Sequence, residues 1–385
     1  MIKKGVFILV YKSVIPYDLV ATKMNYWYVA LKNDWVDEAE KMKSEVKQEI
    51  AIMEENQDVL IYFSLLEFRH KLMLDYICPE AAKDIQVHYE ELREKTKGGR
   101  NLNGMLEYYY YFFTAMYHFR QKELLHALAY YQNAENQLNS FESDDVEKAE
   151  FYFKLSEIYY YMKQTYFSMY YANHAYKIYL KQPTYGQRRV QCQFLMTGNW
   201  LDKMNPEKAL EHTSKALSDA KELQVDYLIG SSHLNIGICY NQLEELYKAE
   251  NHFQMAAELY KNEKHSFLPK ALFNISHVKA KQEKWIEAED RYFEGMEWAQ
   301  KFEDQEFLTK LKMIYGLYLS FDLDTVRESF EFFSEKGMYA DIEEYGVITA
   351  ELLQGKEMLH DSLEFYRRVV EARRQIQRSG TVHES

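Results

Sequence analysis

Residues that interrupt helices are scarce in this sequence. Its 385 residues include five prolines and fourteen glycines. Proline cannot donate a backbone hydrogen bond, and glycine weakens a helix interior by about 1 kcal/mol. A chain with so few of either is typical of long helices joined by short turns, and its length predicts more than one structural unit. We therefore expect an all-α protein.

Cysteines and long apolar runs are scarce as well. The three cysteines, Cys78, Cys192 and Cys239, are odd in number and widely spaced, which predicts neither a disulfide framework nor a zinc site and favours a reducing compartment. The apolar run at residues 5–11 is ended by Lys12 without a signal-peptidase site. No run approaches the roughly 18 apolar residues that a membrane helix needs. These features predict a cytoplasmic protein that does not contact a membrane.

The formal net charge of −13 leaves no excess of positive charge. Direct binding to a nucleic-acid backbone needs a basic surface, so it is not expected. No glycine-rich phosphate loop is present. Four histidines show no i, i+4 pairing with another metal ligand, namely His70, His118, His126 and His212. We expect no cofactor and no metal ion.

A pattern of small and aromatic residues recurs along the chain. It is clearest where Gly237 is followed by Tyr240 and then by Ala249, Phe253 and Ala256. A small residue lets two helices approach closely, and a ring from the partner helix fills the space. The period is about 40 residues, shortening to about 34 at the end, which is typical of tetratricopeptide repeats. The equivalent second-helix positions are Ala127, Ser168, Ala209, Ala249, Ala288, Glu328 and Ser362.

The chain divides into three predicted segments. Residues 1–78 carry three amphipathic helical patterns with short connections, which predicts an antiparallel bundle. Residues 79–104 indicate a linker helix followed by a hinge at Gly98-Gly99. Residues 105–378 carry the repeats. The predicted fold class is an all-α protein, with an N-terminal three-helix bundle and a C-terminal right-handed superhelix of tetratricopeptide repeats.

This order of segments resembles the Rap family of quorum-sensing regulators from Gram-positive bacteria. The resemblance covers nearly the whole chain and rests on long strings of residues. These are Val46-Lys47-Gln48-Glu49-Ile50, Met53-Glu54-Glu55-Asn56-Gln57-Asp58, Ser64-Leu65-Leu66-Glu67-Phe68-Arg69-His70, Ala149-Glu150-Phe151, Tyr159-Tyr160-Tyr161-Met162-Lys163-Gln164-Thr165-Tyr166-Phe167-Ser168-Met169 and Asn235-Ile236-Gly237. The resemblance implies that short, secreted and re-imported Phr peptides bind the concave side of the repeats. It also implies that the bundle binds a target protein and that peptide binding moves the bundle onto the repeats.

Gln48 is the single catalytic candidate. Helical spacing places it off the apolar face of Val46 and Ile50. The resemblance implies that phosphatases of the family use a glutamine here to dephosphorylate a response regulator. A neutral amide can donate and accept hydrogen bonds and so hold a water in line with an aspartyl phosphate. A solvated surface glutamine is the alternative interpretation.

The first helix of each repeat is expected to line a peptide-binding groove. The candidate residues there are Asp202, Asn235, Asn199, Tyr160, Asn241 and Asn274. Carboxamides can hold the backbone of an extended peptide whatever its sequence, and a carboxylate can select a basic side chain. By resemblance, Asp202 and Asn235 match the residues that hold the basic side chain and the backbone of the peptide. The alternative interpretation is that these groove residues are only solvated polar residues of the surface and bind no peptide.

Two functions follow as hypotheses. The first is a regulator that binds a target through the bundle, is switched by a Phr peptide, and controls sporulation, competence or mobile-element transfer. Its target is a response regulator or a transcriptional repressor, and the sequence does not separate the two. The second is a response-regulator aspartyl-phosphate phosphatase that uses Gln48. Direct DNA binding is a third hypothesis, which the negative net charge disfavours. The sequence does not decide whether the protein forms a homo-oligomer.

Overall fold

The computed structural model describes residues 15–77, 84–99, 102–140 and 144–380. Within them the chain is a succession of helices, and the extended pairing is limited to one bridge between Ile15 and Met53. The all-α prediction is confirmed. None of the helices in this described part combines the length and the apolar character needed to cross a membrane. Cys78 and the apolar run at residues 5–11 lie outside the described residues.

The first four helices precede the repeats. They are α1 (Tyr17–Lys32), α2 (Val36–Ile50), α3 (Gln57–Ile77) and α4 (Ile85–Lys95). Fully buried side chains that include Trp27, Val46 and Leu66 fill the space between α1, α2 and α3. α1 and α2 each bury one face because their apolar residues recur at helical spacing, whereas α3 is buried on most sides because α1, α2, α4 and the first helix of the repeats pack around it. The three helices therefore form the expected bundle, which we call the head.

A tight turn joins α4 to the first repeat. Gly98 and Gly99 take positive φ angles of 66° and 83°, which residues with a Cβ rarely adopt. A Cβ on Gly99 would also come within 2.8 Å of a ring carbon of Tyr110. Glycine is thus needed for both the turn and the close approach of the ring. A hinge motion at this turn stays a prediction.

The described chain from residue 104 onward forms fourteen helices arranged as seven consecutive hairpins. They are α5 (Gly104–Arg120), α6 (Leu124–Leu138), α7 (Asp145–Tyr161), α8 (Thr165–Tyr179), α9 (Gly186–Asp202), α10 (Pro206–Leu223), α11 (Asp226–Gln242), α12 (Leu246–Glu263), α13 (Leu268–Lys281), α14 (Trp285–Lys301), α15 (Gln305–Ile314), α16 (Leu323–Glu335), α17 (Tyr339–Gly355) and α18 (Leu359–Gly380). A π-helical turn extends α15. The repeat architecture is confirmed.

The small residues of the repeat lie where the two helices of a hairpin meet. A Cβ on Gly237 would come within 2.5 Å of the Phe253 ring, so only glycine permits this approach. In an earlier hairpin two serines take the equivalent places, and the Ser168 hydroxyl donates to the Ser156 carbonyl at 3.0 Å. The recurring pattern of small residues therefore results from a steric requirement at the contact between the two helices of a hairpin.

The stack of hairpins curves with its first helices on the inside. The first helices α7, α9 and α11 contact one another in succession, whereas second helices of neighbouring hairpins have no comparable contact in the described chain. The curvature brings distant segments together. Lys122 Nζ lies 3.2 Å from Glu306 Oε2, and the Tyr76 and Phe267 rings are 5.8 Å apart. The first helices thus line an inner surface.

The core of the head continues into the first repeats. One apolar cluster contains buried side chains from α1 to α7. At the junction the Tyr62 ring of α3 stacks on the Tyr109 ring of α5, with 5.6 Å between ring centroids. The predicted division at residues 78 and 104 agrees with the end of α3 and the start of α5, but the head is packed on the repeats. As a division into domains it stays a prediction.

Candidate functional site

Asp202, the last residue of α9, is a carboxylate on the inner surface. Its Oδ1 lies 2.6 Å from Lys163 Nζ, on the turn after α7. Burial by itself would lower the pKa of Lys163, but Asp202 and then Glu344 and Glu343 of α17 raise it. Because α17 belongs to the last hairpin, Lys163 and Asp202 face the interior of the superhelix.

The second oxygen of Asp202 is not the one paired with Lys163. Oδ2 is buried and makes no hydrogen bond among the described residues. Burial raises the pKa of Asp202, and the Lys163 ammonium opposes that rise. A carboxylate can accept a cationic donor on each oxygen. The site can therefore bind a second cation beside Lys163.

Tyr160 lies next to this carboxylate. A Cβ on Gly198 would come within 2.7 Å of the Tyr160 hydroxyl oxygen, so Gly198 makes room for the phenol between α7 and α9. Burial, and then the nearby Asp202 charge, raise the pKa of Tyr160 well above its ordinary value. The phenol stays protonated and can donate a hydrogen bond into the groove.

Asn235 and Asn274 occupy equivalent positions in successive hairpins. Each side chain is half-buried. Each donates to the carbonyl four residues earlier in its own helix, at 2.9 Å to Ser231 and 2.8 Å to Lys270. This bond holds the amide in one orientation, and its oxygen makes no hydrogen bond among the described residues. Each amide oxygen is therefore available to a ligand.

Asn241 and Asn199 lie in different surroundings. The Asn241 oxygen accepts from Lys281 Nζ at 3.2 Å, so it is part of a polar pair at the end of α11. Asn199 is buried, and its amide donates to the Ser168 hydroxyl and the Leu195 carbonyl, both at 2.8 Å. The structure places Asn199 inside the contact between α8 and α9 rather than on the open groove.

Lys163 and Gln242 are inner-surface residues that the sequence analysis missed. Gln242 follows Asp202 by 40 residues, one repeat, and ends α11 as Asp202 ends α9. Its Nε2 donates to the Leu201 carbonyl at 3.2 Å, and its Oε1 is buried and has no hydrogen-bond partner in the described chain. The repeat spacing was a signal that could have identified Gln242. Lys163 gives no such signal, because it lies in a turn.

Gln48 lies on the exposed face of α2. Its side chain makes no hydrogen bond within the described residues. The neighbouring charges are engaged, because Lys23 of α1 pairs with Glu45 at 3.1 Å and with Glu49 at 2.5 Å. Gln48 is therefore free to contact a partner protein on the outer side of the head.

Buried polar contacts hold the head on the repeats. Glu147 of α7 accepts hydrogen bonds from the Tyr28 and Tyr108 hydroxyls, each at 2.9 Å, and from Lys32 Nζ at 3.2 Å. Tyr28 and Lys32 belong to the head, whereas Glu147 and Tyr108 belong to the repeats. A buried carboxylate needs such partners to offset its lost hydration.

Arg188 of α9 makes a second buried connection. Its Nε and Nη2 donate to Glu150 of α7 at 2.9 and 3.2 Å, and its Nη1 donates to Asp34 of the head at 3.0 Å. Tyr179 also donates to Glu150 at 3.0 Å. Burial alone would raise the pKa of Glu150, but Arg188 and other nearby cations hold it at about 2. Arg188 therefore joins two repeat helices and the head.

These features define a class, a helical-repeat protein with a charged inner groove and a helical head docked on the repeats. Residues 14–75 match the family model described as response regulator aspartate phosphatase H, N terminal. Response regulator aspartate phosphatase I of Bacillus subtilis (strain 168) is 44% identical over 384 residues, which is 99% of this chain and 97% of that protein. The chain belongs to the Rap family of response regulator aspartate phosphatases.

Two solved structures show which arrangement of the family this chain adopts. The crystal structure of a Rap protein complexed with Competence and Sporulation Factor is 38% identical, covers 94% of this chain and 99% of that chain, and has a TM-score of 0.87. The apo form of RapI is 44% identical with the same coverage, 94% and 99%, and has a TM-score of 0.64. Because the more similar sequence has the lower score, the difference lies in how the helices are arranged. The arrangement here is closer to that of the complexed relative.

Proposed function

We propose that this chain is a cytoplasmic, peptide-regulated Rap protein. Its head binds a target regulatory protein, and a short Phr-type peptide with a basic side chain binds the inner surface of the repeats and switches it. The observation that carries the proposal is Oδ2 of Asp202 on that surface, which is buried and makes no hydrogen bond within the described part of the chain. The target is a response regulator or a transcriptional repressor, and no nucleic acid or membrane takes part.

The inner surface supplies what an extended basic peptide needs. Asp202 accepts the guanidinium or ammonium group, and charge-assisted hydrogen bonds of this kind are about twice as strong as neutral ones. Tyr160 donates beside it. Asn235 and Asn274, one repeat apart, bind backbone groups in a manner that does not depend on the peptide's side chains.

Peptide binding and head docking use the same two helices. The Asp202 site lies at the carboxyl ends of α7 and α9, and the contacts to the head, Glu150 and Arg188, lie near their amino ends. A ligand that holds these carboxyl ends together favours the spacing at which Arg188 reaches both Glu150 and Asp34. A peptide that prefers the docked state stabilises it by its difference in affinity for the two states.

Calorimetric titration of the full chain with short synthetic Phr-type peptides tests this proposal. We expect binding by a peptide that contains one arginine. The same peptide with citrulline, which has nearly the same shape but no charge, should bind about tenfold to a hundredfold more weakly, since a hydrogen bond to a charged group contributes about 1.5–3 kcal/mol. Equal affinities, or no binding by any such peptide, would contradict the role of Asp202.

A phosphatase activity is a second candidate function, favoured by the exposed and unengaged Gln48. An aspartyl phosphate already carries its reactive bond and its Mg²⁺ in the partner protein, so the head needs only to position water. An amide on a rigid helix can do this because it both accepts and donates hydrogen bonds. Homo-oligomer formation is compatible with either function.

Loss of radiolabel from a phosphorylated response regulator tests the second function. If Gln48 positions the water, Gln48→Ala should slow the stimulated loss by at least about tenfold, because misplaced reactants commonly lose a factor of that size or more. Gln57→Ala, which removes another exposed glutamine of the head, should leave the rate unchanged. Equal rates for Gln48→Ala and the unaltered chain would exclude the catalytic role and leave the binding function intact.

A further inference from the structure

A cluster of metal-ligating side chains lies outside the groove, at the turn of the first hairpin. It contains His118 in the last turn of α5 and Glu123 and His126 at the start of α6. His118 Nδ1 lies 2.6 Å from Glu123 Oε2, and His126 Nδ1 lies 3.6 Å from the same oxygen. One ligand atom from each residue lies within 4.8 Å of the other two.

We propose that His118, Glu123 and His126 bind a divalent transition-metal ion of the Zn²⁺ type. Two imidazoles and one carboxylate form a common ligand set for Zn²⁺, with bonds of about 2.0–2.2 Å. Tetrahedral bonds of this length place ligand atoms about 3.3 Å apart. The Glu123 oxygen lies 2.6 Å from one histidine nitrogen and 3.6 Å from the other, on either side of that distance, so side-chain rotations that separate the first pair and close the second complete the site.

The surroundings of His118 favour metal binding through Nδ1. The Tyr89 hydroxyl of α4 lies 3.5 Å from His118 Nε2, and the Tyr130 ring stacks on the imidazole at 5.1 Å. When Nδ1 binds a metal, the ring proton resides on Nε2 and can be donated to the Tyr89 oxygen. Metal-bound histidines usually donate their second N–H in this way, and the partner fixes the ring and its tautomer.

The position of the site gives the ion a structural consequence. His118 belongs to α5, Glu123 immediately precedes α6, His126 lies in the first turn of α6, and Tyr89 belongs to the linker helix α4. A bound ion therefore holds the first hairpin closed and selects the tautomer of His118 that donates to α4. The side of the site near His126 is open, since 74% of that side chain is exposed, so water completes the coordination.

Titration of the tag-free, chelator-treated full chain with Zn²⁺ in a non-chelating buffer tests the site. We expect one equivalent to bind, and Co²⁺ in its place to give the visible absorption of a tetrahedral site. His126→Ala removes an exposed ligand without disturbing the core and should weaken Zn²⁺ binding at least tenfold. Tyr89→Phe keeps the ring stacking and should weaken it by about tenfold, which is the usual size of an outer-shell effect.

His88→Ala is the matched control. His88 and Glu91 form another histidine–glutamate pair on one helix face, with 3.5 Å between Nδ1 and the carboxylate, but no third ligand joins them among the described residues. Its removal should leave Zn²⁺ binding unchanged. The proposal is wrong if the unaltered chain binds no Zn²⁺, or if His126→Ala and His88→Ala bind it equally well.

Discussion

Replacing Asp202 with asparagine should weaken the binding of an arginine-containing peptide about a hundredfold. The substitution keeps the shape of the side chain and removes the charge that accepts the guanidinium. Removing one partner of a buried, hydrogen-bonded charge pair commonly costs about 2–5 kcal/mol, and each 1.4 kcal/mol is a factor of ten in affinity. Calorimetry with the arginine peptide and its citrulline counterpart measures the effect, and only the first should lose affinity strongly.

Lys163→Met provides the matched control, because it breaks the same ion pair from the other side. It leaves both oxygens of Asp202 without a protein cation, so the peptide's basic group meets an unopposed carboxylate. We expect this variant to bind the arginine peptide as tightly as the unaltered chain, or up to about tenfold more tightly. If Asp202 only stabilised the fold through Lys163, both variants would lose affinity together, and that result would contradict the proposed role.

The repeat fold could be predicted from sequence because each hairpin depends on one steric contact. Gly237 has no room for a Cβ beside Phe253, and Ser168 and Ser156 meet at the equivalent place. A requirement that recurs in every hairpin leaves a periodic trace in the sequence. The head could be recognised for a similar reason, since apolar residues recur at helical spacing in its three helices.

The docking of the head could not be predicted from sequence. Its buried polar contacts involve charged residues, which a pattern analysis assigns to solvent-exposed faces. Arg188 reaches Asp34 across 154 positions of the chain, and nothing in the local sequence of either residue indicates the other. Burial of Glu150 at 1% exposure becomes understandable only once its partners are known.

The candidate site was predicted in part. Counting repeat positions placed Asp202 on the inner surface. The structure places it there as well, because Asp202 pairs with Lys163, and the carboxylates of α17 also raise the pKa of Lys163. The same counting does not identify the partner of Asn199. Its amide donates to the hydroxyl of a serine on the preceding helix, and this hydrogen bond keeps the amide inside the stack. It also overlooks His118, Glu123 and His126, because a turn rather than helical spacing brings them together. Their roles in binding stay predictions.

Arg188→Met should destabilise the protein and release the head. The substitution leaves Glu150 buried beside a neutral side chain and leaves Asp34 without its cation. Breaking a buried ion pair in this way costs about 3–5 kcal/mol. Urea denaturation measures the lost stability, and small-angle X-ray scattering of the native chain should show a larger radius of gyration. In the absence of peptide, the loss of stability and the increase in the radius of gyration should appear together.

Arg189→Met is the matched control for Arg188→Met. Arg189 also lies on α9 and pairs with Asp219 of α10 at 3.3 Å, but this contact lies within the repeats and is partly exposed. Its loss should cost about 1 kcal/mol or less and leave the radius of gyration unchanged. If both variants behaved alike, the head would be held by something other than the Arg188 connection.

The pH dependence of the stability lost in Arg188→Met shows whether Arg188 acts through its ion pair or only through packing. The pKa of Glu150 is about 2 in the fold against an ordinary 4.5, so its ion pair stabilises the fold above about pH 4.5. That contribution, about 3 kcal/mol, is lost as the pH falls from 4.5 toward 2. Arg188 is the largest charge that opposes the effect of burial, so in Arg188→Met the pKa of Glu150 rises from this low value and acid weakens the contact less. The stability difference between the two chains should therefore be smaller at pH 4 than at pH 7, and a constant difference would mean that Arg188 acts only through packing.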